Sequence, residues 1–235
     1  MSTSTFIRRK LLRSAVLLPF AGAALPKVAG AVNAASTPAC VLSPEMTEGP
    51  FFVEERLERS DLVADAASEP GVRGALPLLL TLTLVDVRRQ CAPLSGVQVD
   101  VWHTDALGNY SDVQGQRGRT FCRGYQVTDA AGRVSFTTIY PGWYPGRTIH
   151  IHVKARRFDA TRRATGEYTT QVYFDERTND AVMALPPYAR RGRRTTTNAR
   201  DGVYGNASNL IVSTAPRPEN APGLTGAVTL GLDIA

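Results

Sequence analysis

Thr138-Ile139-Tyr140-Pro141-Gly142-Trp143-Tyr144-Pro145-Gly146-Arg147-Thr148-Ile149-His150-Ile151-His152 is where the character of this chain is decided. From 148 to 154 β-branched residues dominate, and Pro145-Gly146 precedes them, which predicts a strand. Side chains alternate across a strand, so His150 and His152 share one face, with Ile149, Ile151 and Val153 on the other. Two imidazoles so spaced can reach one metal ion. Tyr144 sits in a Pro-Gly-bounded turn that folds back toward the strand, and Arg147 lies between it and the histidines. The chain has three histidines, and two are here. A phenol beside them suits a hard, oxidised metal such as iron(III) better than soft copper(I). The alternative is a non-catalytic module with a surface His-x-His site for zinc or copper.

Outward from this stretch the chain reads as short strands separated by turns. Strands are predicted at 76–88, 96–103, 121–128, 133–139, 169–174, 209–214 and 226–232. In 96–103 the alternation is clean: Val97, Val99 and Val101 on one face, Gln98, Asp100 and Trp102 on the other. Turns fall at 105–110, around Gly108-Asn109, and at 129–132. Residues 175–204 read as irregular, with a short helix at 180–184, and 54–65 holds at most a helical turn. The pattern predicts an all-β sandwich with long irregular loops and little helix.

Residues 1–34 are read as a leader rather than part of this fold. Arg8-Arg9-Lys10 precede Leu11-Leu12, a short apolar run and small residues through Ala31 and Ala34. The run is too short for a membrane span, and the twin arginine is similar to that of a twin-arginine export signal. An exported protein, periplasmic or extracellular, with a domain at 35–235 and no membrane anchor after cleavage is expected. The leader also explains the charge. The formal net charge is +6, from 27 basic and 21 acidic residues, and five of the basic ones precede residue 35. The remainder is near neutral, which argues against a nucleic-acid partner. Arg190-Arg191-Gly192-Arg193-Arg194 reads as a solvated loop. Of Cys40, Cys91 and Cys122, export favours one disulfide, and Cys91–Cys122 is the preferred pair because Cys40 lies near the new N-terminus.

Several segments, in order, resemble the intradiol ring-cleavage dioxygenases, the family of protocatechuate 3,4-dioxygenase and catechol 1,2-dioxygenase. They are Thr47-Glu48-Gly49-Pro50-Phe51, Val99-Asp100-Val101-Trp102, Asp105-Ala106-Leu107-Gly108-Asn109-Tyr110 and Thr128-Asp129-Ala130-Ala131-Gly132. The series continues with Phe136-Thr137-Thr138-Ile139-Tyr140-Pro141-Gly142, Arg147 to His152, and Gln171-Val172-Tyr173-Phe174. The interval from Tyr144 to His150 is shorter than in the two enzymes just named and resembles the compact, exported branch.

The resemblance implies a mononuclear non-haem iron(III) held by Tyr110, Tyr144, His150 and His152. Tyr110 would stay bound, and Tyr144 would leave when a catechol arrives and take one of its protons. Arg147 would stabilise negative charge developing on the substrate, Gln171 would orient ring or ligand by hydrogen bonding, and Pro50 would border the substrate cavity. The implied partners are a catechol-type molecule and O2, and the implied product is a cis,cis-muconate-type diacid, cut between the two hydroxyl-bearing carbons. Tyr140, a rival for the leaving ligand, is read as structural, as is His103; Trp143 is read as pocket wall or core.

Overall fold

In the computed structural model, residues 41–113, 115–205 and 207–234 are described, all within the compact unit Pro38–Ala235. The leader and Cys40 lie outside them. The strands among the described residues are β1 (Pro77–Asp86), β2 (Ala92–Pro93), β3 (Gln98–Trp102), β4 (Arg123–Val127), β5 (Arg133–Ile139), β6 (His150–Phe158), β7 (Ala164–Tyr173), β8 (Ser213–Pro216) and β9 (Leu224–Leu232), with one helix, α1 (Glu176–Met183), between β7 and β8.

The strands form two sheets. In the first, β1 is central: β5 runs antiparallel along one edge with the short β2 continuing that edge, β9 runs parallel on the other, and β8 lies beyond β9. The second is antiparallel throughout, in the order β4-β3-β6-β7. The first sheet follows from period two. In β1, Leu78, Leu80, Leu82 and Leu84 are buried, and in β5 Val134, Phe136 and Thr138 alternate with exposed Arg133, Ser135 and Thr137. The four leucines, Val134 and Phe136 join Val99, Val101, Ile151, Val153 and Val172 of the second sheet in one core. Burying each leucine contributes about 2 kcal/mol.

The second sheet departs from simple alternation, for both its faces are buried. All five residues of β3 are inaccessible, Gln98, Asp100 and Trp102 included. The cover is the irregular segment 47–62. Its backbone bonds the β4 edge through Tyr125 N to Leu57 O at 2.8 Å and Arg59 N to Tyr125 O at 3.0 Å. Its side chains reach into the sheet: Arg156 pairs with Glu54 and, at 2.9 Å, with Asp100, and Lys154 pairs with Glu48 at 2.8 Å. Phe52 meets Trp102 edge-on, ring centres 5.0 Å apart. Alternation reports a polar face correctly, yet that face can be buried when charges on the cover answer charges on the sheet.

Four expectations need correction. The predicted helix at 180–184 starts earlier, at Glu176, because Asp175 caps it by accepting from Thr178 N at 2.9 Å. The strand expected at 209–214 begins at Ser213; Ala207–Leu210 is a 3-10 turn. Cys91 is disulfide-bonded but Cys122 is a buried free thiol, so the Cys91–Cys122 pair does not form. The basic run is not wholly solvated either: Arg194 pairs with Glu176 and Asp180, and Arg191 donates to Leu107 O at 2.5 Å. No helix among the described residues is long and apolar enough to cross a membrane.

Candidate metal centre

Strand register places the site. On the covered face of the second sheet, Trp102 of β3, His152 of β6 and Gln171 of β7 stand in one row, and His150 pairs with Tyr173 in the next row of β6 and β7. Two turns bring the tyrosines to the same place. Asp105 shapes the first, accepting from Leu107 N and Asn109 N at 2.8 Å each, and so delivers Tyr110. Gly108 in that turn has φ +76° and packs so closely that a Cβ would lie 2.3 Å from Trp143 O. The turn carrying Tyr110 is thereby seated against the turn carrying Tyr144.

The four polar atoms converge. Tyr110 Oη lies 3.2 Å from His150 Nε2 and 3.1 Å from His152 Nε2; the two Nε2 atoms are 3.1 Å apart; Tyr144 Oη is 3.4 Å from His150 Nε2. Such separations are the edges of a polyhedron whose corners lie about 2 Å from a shared centre, the reach of metal–nitrogen and metal–oxygen bonds. The chemistry of the donors points the same way. His150 Nδ1 is 2.7 Å from Thr148 O. A carbonyl only accepts, so Nδ1 carries the proton and Nε2 turns its lone pair inward. Both imidazoles are buried, at 3% and 1% exposure, which rules against the surface His-x-His site considered above. Among the described residues no group of three His, Cys, Asp or Glu side chains could hold a metal. The donor set here is the mixed one, two phenols and two imidazoles, and its spacing fits a cation.

Electrostatics without a cation keep all four groups neutral. Burial, then the charge of Arg147, depresses His150 to about 3, and burial holds His152 well below its ordinary range. Burial raises Tyr110 well above the usual phenol value, with neighbouring Tyr144 adding to it, and burial raises Tyr144 too. Arg147 favours the ionised form of both phenols, but burial outweighs it. Only a strongly charged ion would turn both into phenolates.

Arg147 and Gln171 are joined: Arg147 Nη2 donates to Gln171 Oε1 at 2.6 Å. The Gln171 amide also receives Tyr173 Oη at 3.1 Å and gives its N–H to Thr47 O at 2.9 Å, so it steadies Arg147 rather than reaching the donor cluster. Pro50 is exposed at a turn. Its neighbour Phe51 stacks on Tyr110, ring centres 4.4 Å apart, and lines a cavity of about 300 Å³ that also touches Tyr144, Pro145 and Arg191. Tyr140 points elsewhere, donating to Asn179 Oδ1 at 2.7 Å. His103 is satisfied by Thr104 O and Thr138 Oγ1, each at 2.8 Å.

Sequence reasoning missed Asp201. It is buried, contacts Arg147 Nε at 2.9 Å and accepts from Thr148 N at 2.7 Å, so one carboxylate fixes both Arg147 and the approach to β6. Burial alone would raise its pKa; the N–H groups of Thr148 and Val203, with Arg147, bring it below the ordinary value. No local pattern marks that role, because Arg147 and Thr148 lie more than fifty residues away along the chain.

The chain is thus a two-sheet β-sandwich with a largely buried two-tyrosine, two-histidine cluster beside an open cavity. A family model described as Dioxygenase matches residues 47–195. Among solved structures, an intradiol ring-cleavage dioxygenase from Tetranychus urticae superposes with a TM-score of 0.69 at 35% identity, over 83% of this chain and 95% of that one. The dioxygenase domain of a dioxygenase carbohydrate-binding protein fusion from Streptomyces sp. SirexAA-E gives 0.59 at 30% identity, over 83% and 100%. Chlorocatechol 1,2-dioxygenase of Pseudomonas sp. (strain P51) is 29% identical over 102 residues; that match spans 36% of this chain and 39% of that protein. The chain belongs to the intradiol ring-cleavage dioxygenase family.

Proposed function

We propose that this protein is a non-haem iron(III)-dependent dioxygenase. It cleaves a catechol-type ring between the two hydroxyl-bearing carbons with O2 and yields a cis,cis-muconate-type diacid. The observation that carries the reading is the convergence of four side chains: Tyr110 Oη, His150 Nε2 and His152 Nε2 lie 3.1–3.2 Å from one another, and Tyr144 Oη lies 3.4 Å from His150 Nε2. Those four side chains would hold the iron, and two phenolates would match the charge of a ferric ion better than that of a divalent one. When bound, iron(III) supplies Lewis acidity toward a chelating diol.

The remaining chemistry belongs to the chain. Tyr144 lines the cavity, where it would give way to the diol and its oxygen would accept a hydroxyl proton. Tyr110, stacked under Phe51 and buried, keeps its position. Arg147, held by Asp201 and Gln171, presents fixed positive charge to the anion that develops as the ring opens. Phe51 offers an apolar wall to the ring and helps exclude water.

Reconstitution with ferric iron tests this reading. The expected result is a red-brown protein, coloured by tyrosinate-to-iron charge transfer, with O2 uptake on a catechol panel. A colourless protein without O2 uptake would reject it. We further propose that residues 1–34 direct export; a reporter fused behind them appearing outside the cytoplasm, dependent on Arg8-Arg9, is the check.

A further inference from the structure

The cavity beside Tyr110 and Tyr144 has one arginine in its wall, Arg191. Its immediate contacts are neutral. Nη1 donates to Leu107 O at 2.5 Å, and the guanidinium lies over the Trp143 ring, 5.0 Å from the ring centre. Gly108 leaves room for it, since a Cβ there would come within 3.2 Å of Cζ. Arg191 is thus fixed before any ligand arrives.

What Arg191 lacks is an acid. Among the described residues it makes no ion pair within 4.0 Å, and its Nε is buried without a hydrogen-bond partner. Arg194, three residues on, pairs with Glu176 and Asp180, so the contrast is not a property of the loop. The other cavity residues include no carboxylate. Asp105 feels the charge of Arg191, yet its own oxygens are occupied by Leu107 and Asn109.

We propose that Arg191 is a specificity residue that selects catechols bearing a carboxylate on the ring or a short side chain, the anion completing the pair that the chain leaves open. This rests on the dioxygenase reading above. A planar fork and a carboxylate make a short charge-assisted pair, and a site built for an anion rejects a neutral isostere because its own donor is left unanswered.

The test compares 3,4-dihydroxybenzoate with 3,4-dihydroxybenzamide, alike in shape and different in charge. Both are titrated anaerobically into iron-loaded protein by following the visible band, and both are then turned over under O2. Wild type is expected to favour the benzoate by about tenfold or more in Kd and kcat/KM. In R191Q the ratio falls toward one, and R191K, which keeps the charge but not the fork, lies between. A wild-type ratio near one overturns the assignment without any variant, as does a folded R191Q that keeps the full ratio. Turnover of both compounds without preference sinks the role of Arg191 alone; absence of colour and of turnover with every catechol sinks the dioxygenase reading as well.

Discussion

The indole of Trp102 lies flat against the imidazole of His152, ring centres 4.7 Å apart and planes 8° from parallel. The two histidines are therefore oriented by different means. His150 is held by the hydrogen bond from Nδ1 to Thr148 O, whereas Nδ1 of His152 is buried with no partner. For His152 the stack replaces the hydrogen bond that usually orients a metal-binding histidine. Trp102→Leu should cost about 3 kcal/mol of stability from the lost packing and lower iron content. Trp102→Phe should keep the fold and show a displaced visible band. Thermal unfolding and iron stoichiometry measure both, and an unchanged band in the phenylalanine variant would show that the stack does not position His152.

Tyr110 and Tyr144 should separate under substitution. Tyr110→Phe removes a buried donor that touches both histidines, so colour and turnover should nearly vanish. Tyr144→Phe keeps three donors and should still bind iron with a shifted band, while turnover falls by about 10²–10⁴-fold with loss of the proton acceptor. Tyr140→Phe is the control: it breaks a bond to Asn179, should cost about 1–2 kcal/mol of stability, and should leave the colour unchanged. Absorption spectra and oxygen-electrode rates of the three variants decide the matter.

His103 predicts a pH dependence of folding in metal-free protein. Burial lowers its pKa from 6.5 to about 4 in the folded chain. A depressed histidine contributes its full stability above its unfolded value, and that stability is lost as pH falls from about 6.5 toward about 4. The loss over that window is on the order of 3 kcal/mol. Denaturant midpoints between pH 8 and 4 should fall more steeply in wild type than in His103→Gln. Parallel curves would mean that the residue does not titrate on unfolding.

Asp201→Asn should act at a distance from the chemistry. It removes the charge that Arg147 Nε and Thr148 N share. Breaking a pair this buried costs about 3–5 kcal/mol when one charge is left unanswered. Because Arg147 is also loosened, kcat should fall more than affinity for a catechol rises or falls. Steady-state kinetics alongside calorimetry would show it, and a variant with lowered Tm but normal kcat would assign Asp201 to folding alone.

Much of the sandwich was legible because strands obey a short-range rule. The strand predicted at 133–139 reappears with the same bounds as β5, and the spacing of His150 and His152 fixes their shared face whatever surrounds it. Less was legible where partners are remote. Nothing near Gln98 or Asp100 announces that Arg156 and Glu54 will bury them. Cysteine pairing was misread because the sequence does not show that Cys122 is sealed in the core as a free thiol. The link between Gln171 and Arg147, and the acid behind Arg147, depend on β6 and β7 register and on a stretch with no periodicity.

The cover over the second sheet carries Phe51 into the cavity wall, yet it is fastened by Lys154–Glu48 and Arg156–Glu54, whose acidic ends are 37% and 40% exposed. Half-open ion pairs weaken as dissolved electrolyte accumulates, since the screening length falls to about 8 Å at physiological ionic strength and about 3 Å in molar salt. The strands beneath, sealed by leucine and valine, are indifferent to that change. Brine would therefore relax the mouth of this protein long before it disturbs the hydrocarbon layer between the sheets that supports it.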